Sequence, residues 1–152
     1  MRMAEGNPDR RAATTPDPEA VVSKAAIRAA DHLGLKQQAL GRVLGLSNAT
    51  VTRLKVGRSS LPQGSKPYEL ALLLIRLFRG LEAMMGGDPE ALRSWMGTAN
   101  LALGGVPREV IASVSGLVEA VAYVDSARSP LSCGRSAARR GGWWKASRAS
   151  RR

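Results

Sequence analysis

Apolar residues along this chain recur at helical rather than alternating spacing. Val21, Val22, Ala25, Ala26, Ala29 and Leu33 predict a first helix from about Asp17 to His32, with Pro18 at its first position and Gly34 ending it. Leu35 to Gly57 reads as two short helices split at Gly45-Leu46-Ser47, and a polar, proline-bearing connection runs from Arg58 to Pro67. The strongest pattern covers residues 68–85. There Leu70, Leu73, Leu74, Leu77, Leu81 and Met84 make one wide apolar face, stopped by Gly86-Gly87. Asp88 then caps a helix with Pro89 at its first position, Glu90 and Arg93 on its surface and Trp95-Met96 near its end. Leu101 to Pro107 is a glycine-bearing loop. From Pro107 to Arg128, Val110, Ile111, Val114, Leu117, Val118, Val121 and Val124 suit a short helix followed by a longer one. No stretch alternates as a strand does, so the body is all-α.

The segment Lys36 to Gly57 has the make-up of a helix-turn-helix. Such a unit needs a small residue where its helices cross, a glycine at the tight turn and apolar residues on both sides of that turn. Gly41 supplies the first and Gly45 the second, while Leu40, Leu44, Leu46, Val51 and Leu54 fit the inward positions. Ser47 is a natural N-cap for the second helix. The outward face is then Asn48, Ala49, Thr50, Thr52, Arg53 and Lys55, with Arg58 just beyond. Asn and Arg can bond base edges, Ala and Thr can touch thymine methyls, and hydroxyls and cations can hold phosphates. Gln37, at the start of the preceding helix, is placed to anchor a backbone phosphate. Between Leu33 and Tyr68 lie Lys36, Arg42, Arg53, Lys55, Arg58 and Lys66 with no acid, a local +6. The plainer alternative is a helical hairpin with a solvated polar face. The joint spacing and the local charge favour the helix-turn-helix, a unit that binds DNA in many proteins and serves mainly for assembly in some.

Composition narrows the function further. With 152 residues the chain can hold one ordinary domain or two small ones. Its net charge of +11 comes from 23 Lys plus Arg against 12 Asp plus Glu. Seven of those cations, Arg135, Arg139, Arg140, Lys145, Arg148, Arg151 and Arg152, lie in an acid-free, low-complexity stretch after Ser129. A disordered nucleic-acid-binding tail and an irregular extension without an evolved role both fit that stretch, and the second is preferred. One cysteine and one histidine exclude a disulfide framework, a thiol cluster for zinc and nearly all histidine-based catalysis. Cys133 lies in the irregular tail, and Asp31 and His32 are helix neighbours that do not face one another. No enzyme activity, metal or cofactor is expected. Aromatic residues at 4% are too few for a stacking platform for single strands. The polar N-terminus is no secretory signal, and Leu70 to Phe78 is far shorter than the roughly 20 residues of a membrane span. The expectation is a cytoplasmic binding protein. Its parts are a disordered arm over 1–17, a helix-turn-helix domain over 18–67, a second helical domain over 68–128 and a basic tail over 129–152.

The second domain carries a spaced pattern: Trp95, Asn100, Leu103-Gly104-Gly105, Pro107, Gly116 and Val121. Downstream of the helix-turn-helix, this resembles the toxin-binding domain of the Xre/MbcA/ParS antitoxins, a likeness covering about residues 18–128. The resemblance implies a partner toxin of the RES or ParT type, similar to ADP-ribosyltransferases and consuming NAD or modifying a target with it. It implies that the C-terminal part covers the toxin's active-site cleft, that promoter DNA is bound for autorepression, and that the chain forms a homodimer within a larger complex. Residues placed at the toxin on this basis are Asn100, Gly104, Gly105, Pro107, Tyr123, Asp125 and Arg128, with Asp125 to Pro130 as the plug. For Trp95 and Asn100 a structural role, filling a helix junction and capping a loop, is preferred. Two other readings stay open. One is a stand-alone repressor with a dimerising or ligand-sensing second half. The other is a protein-sequestering module whose helix-turn-helix no longer binds DNA.

Overall fold

The computed structural model of the chain describes residues 16–128, and these contain seven helices and no strand. They are α1 (Pro18–His32), α2 (Gln37–Leu44), α3 (Asn48–Lys55), α4 (Lys66–Met85), α5 (Pro89–Gly97), α6 (Pro107–Val110) and α7 (Val114–Arg128). The expectations for the N-terminal arm and the basic tail fall outside the described residues, except at Pro16 and Asp17.

Local chemistry sets most of the helix ends. Asp17 caps α1 by accepting the Glu19 N–H at 3.1 Å, and Asp88 caps α5 by accepting the Glu90 N–H at 2.9 Å. Each is followed by proline at the first turn, where the missing N–H costs nothing. Helix α4 starts two residues earlier than the apolar pattern suggests. Ser65 is its cap, and Pro67 belongs to its first turn rather than to the connection.

Helix α4 is the spine. Its inner residues Leu70, Ala71, Leu74, Leu77 and Leu81 are buried, and α1, α2 and α7 all pack against it. The result is one continuous core running from Ala26 and Leu33 through Leu40, Val51 and Leu74 to Trp95, Ile111, Leu117 and Val124. The crossing of α4 with α7 is close. A Cβ on Gly80 would sit 2.5 Å from Val124 Cγ1, and one on Gly116 would run into the Val110 carbonyl.

Three apolar faces differ from the sequence pattern. Val21 on α1 is exposed, and its inner face instead uses Ser23, Ala26, Ala29 and Ala30. The buried Ser23 hydroxyl is satisfied on both sides, donating to the Glu19 carbonyl at 2.6 Å and accepting the Leu61 N–H at 2.8 Å. With Glu19, whose carboxylate accepts the Gln63 N–H at 2.8 Å, it ties the connection between α3 and α4 onto α1. Met84 at the end of α4 is exposed, as are Val114 and Val118 on α7. The inner face of α7 is Gly116, Leu117, Ala120, Val121 and Val124.

Candidate functional site

Two glycines shape the α2–α3 unit. Gly45 closes α2 at φ 68°, and the Leu46 N–H returns to the Gly41 carbonyl at 2.8 Å. This is a left-handed helix ending that glycine adopts without penalty. Gly41 marks the closest approach, since a Cβ there would lie 2.8 Å from the Leu46 carbonyl oxygen. That contact accounts for a glycine where alanine would offer up to about 1 kcal/mol of extra helix propensity. Ser47 caps α3, its hydroxyl accepting the Thr50 N–H at 3.3 Å. Leu40, Leu44, Val51 and Leu54 are buried and Leu46 is half-buried, so the inward assignment holds.

The opposite side of α3 faces water. Asn48, Ala49, Thr52, Arg53 and Lys55 are exposed, as is Arg58 after the helix, while Thr50 is half-buried and its hydroxyl lies 2.9 Å from that of Ser47. Three of these side chains are already engaged. Gln37 Nε2 donates to the Asn48 carbonyl at 3.0 Å and to Thr52 Oγ1 at 2.7 Å, which uses both amide hydrogens. The Gln37 side chain thus clamps α2 to α3. What remains for a phosphate is the N-terminus of α2, which no side chain caps. The Thr52 hydroxyl donates to the Asn48 carbonyl at 2.9 Å, leaving its methyl for contact outside. Lys55 reaches back to α1, its ammonium 3.5 Å from the Asp31 carboxylate. Asn48, Ala49 and Arg53 remain exposed on the outward side of α3, with Arg58 as a cation beside them.

In the C-terminal half the pattern residues build architecture. Trp95 is 2% exposed, and its ring stacks on Tyr123 at a centroid distance of 6.4 Å. Asn100 and Gly105 pair through the Asn100 N–H on the Gly105 carbonyl at 2.8 Å and the reverse bond at 3.3 Å. Asn100 Oδ1 also accepts the Ala102 N–H at 2.9 Å. Gly104 sits at φ 69°, where only glycine turns freely, and Pro107 is buried at the start of α6. Asn100 thus caps a turn, the structural role preferred from the sequence.

The end of α7 is more open. Asp125 is half-buried and holds Arg76 Nη2 at 2.7 Å, while Arg128 is exposed. Both line an open groove of about 620 Å³ between α4 and α7, together with Leu72, Ile75, Arg76 and Arg79. Ser129 and Pro130 of the expected plug lie outside the described residues. His32 stacks on Phe78 at 5.2 Å. Two further residues outside the expected site set have a definite place. Arg108 donates from Nε to the Met96 carbonyl at 3.3 Å, covering the C-terminal end of α5, and Leu101 stands fully in water at the turn. An arginine directly after a helix-starting proline was the available signal for the first. A leucine two residues before the inward Leu103 was the signal for the second.

Comparison with known families covers both halves of the described chain. Residues 12–76 match the antitoxin Xre-like helix-turn-helix domain, and residues 80–129 match the antitoxin Xre/MbcA/ParS C-terminal toxin-binding domain. The chain belongs to the Xre/MbcA/ParS antitoxin family. The two matched stretches meet inside α4, so in this antitoxin the spine that carries the helix-turn-helix also carries the toxin-binding half. Among curated proteins none matches the chain. Among the described residues, no helix is long and apolar enough to cross a membrane, and no group of three or more His, Cys, Asp or Glu could hold a metal ion.

Proposed function

We propose that this antitoxin neutralises a RES-type toxin by covering its NAD-consuming cleft, and that it binds its own promoter as an autorepressor. A ParT-type toxin is the near neighbour of that reading. The observation that carries it is the placement of the two family-matched units on one core, with the α3 face and the end of α7 both open to partners. Arg128 is exposed in the last turn of α7, and a cation on the end of a packed helix can enter a cleft shaped for a dinucleotide and exclude it. A single helix-turn-helix reads few base pairs, so two copies on a two-fold operator supply the affinity, and the antitoxin acts as a homodimer in the cytoplasm.

The test uses cellular NAD. Expressing the toxin alone should deplete NAD and stop growth, and adding the full-length antitoxin should restore both. An antitoxin truncated after Val124 should fold and repress its promoter yet leave NAD low. Full neutralisation by that truncation would remove the plug from the account, and a toxin that leaves NAD untouched would remove the RES assignment.

A further inference from the structure

The turn between α5 and α6 carries a leucine that the fold does not use. Leu101 is 100% exposed, while Leu103, two residues on, is 8% exposed and packs into the core. The turn is held from both sides by the paired backbones of Asn100 and Gly105, and from within by Asn100 Oδ1 on the Ala102 N–H. The tip is therefore pre-ordered, and docking it costs little further chain entropy. Other exposed large hydrophobics among the described residues are 37–62% exposed, which is ordinary for isolated surface positions. Leu101 is the one that stands wholly in water.

We propose that Leu101 is the anchor by which this antitoxin docks on its toxin, its side chain filling an apolar pocket on the toxin surface. The inference rests on the antitoxin reading and adds to it a contact on a different element from the end of α7. Asn100, Gly104, Gly105 and Pro107 are used to build and terminate the turn, so the contact passes to the residue at its tip. The toxin, rather than a second copy, is the occupant because the turn lies inside the stretch matched to a toxin-binding domain. Val114 and Val118, half-exposed and one turn apart on α7, lie in the same stretch.

Calorimetric titration of the full-length chain with the toxin encoded beside it tests this. Leu101→Asp is expected to weaken binding on the order of 100-fold and Leu101→Ala on the order of 10-fold. Melting temperature and operator affinity should stay at wild-type values, because Leu101 buries nothing in the fold. Val21→Asp, exposed on α1 outside the matched stretch, should keep wild-type toxin affinity. Unchanged toxin affinity in Leu101→Asp overturns the anchor and leaves the antitoxin reading standing. An equal loss in Val21→Asp also overturns it, because the effect would not be local to the turn. Loss of self-association with toxin affinity retained would assign Leu101 to a second copy and overturn it too. A wild-type chain that binds no toxin overturns both readings.

Discussion

The α2–α3 unit and the stretch from α5 to α7 put their outward chemistry in different places. In α2–α3, the side chains proposed to meet DNA are those left facing water once Leu40, Leu44, Val51 and Leu54 turn inward. From α5 to α7 the residues of the spaced pattern, Trp95, Asn100, Gly104, Gly105, Pro107 and Gly116, build the core, the turn and a close helix approach. Leu101, Val114, Val118 and Arg128 are among the groups there that face water. A helix displays its function on the face opposite its core, because one period governs both. A turn-based surface instead separates the residues that make the shape from the residue that uses it.

That contrast can be broken most forcefully at the shared core. Trp95→Ala should cost about 3–5 kcal/mol. Because the core is continuous, a denaturant titration followed by helix signal should show one shifted transition, with operator and toxin binding lost together. Two separate transitions would mean that the halves fold independently. Gly116→Ala should cost less, about 1–3 kcal/mol, through the added methyl's collision with the Val110 carbonyl. Its toxin affinity should fall more than its operator affinity at a temperature where the protein remains folded.

Arg53→Ala acts from the other side. It should remove about 1–3 kcal/mol of operator discrimination, with stability and toxin affinity unchanged. Operator affinity that does not move, measured at one fixed salt concentration, would end the assignment of Arg53 to a base. The smallest effect belongs to Asp31→Asn. Its ion pair with Lys55 is exposed, so the change in stability should stay under about 1 kcal/mol, as read from the melting curve.

The helical part of this picture was legible in the sequence. The caps Asp17, Ser47 and Asp88 and the turn glycine Gly45 stand where their chemistry put them. Other features depended on what each element packs against. Helix α7 is apolar on most sides, so its period alone does not choose an inner face. The close approaches of Gly80 to Val124 and of Gly116 to Val110 choose it, and they leave Val114 and Val118 outside. On α1 the connection after α3 draws Ser23 inward, which no apolar count anticipates. Gln37 and Lys55 are long side chains whose nearest partners, Thr52 and Asp31, are neighbours only after folding. Gly41, unexpected by helix propensity, is required by the Leu46 carbonyl.

The central claim is that one helical body serves a toxin on one side and DNA on the other. It is tested most directly by co-expressing the chain with the adjacent reading frame and purifying through this chain. The account predicts a stoichiometric partner, toxic when expressed alone and silent in the complex, and a complex that retards promoter DNA. A chain that purifies alone, beside a neighbour harmless to the cell, would contradict it.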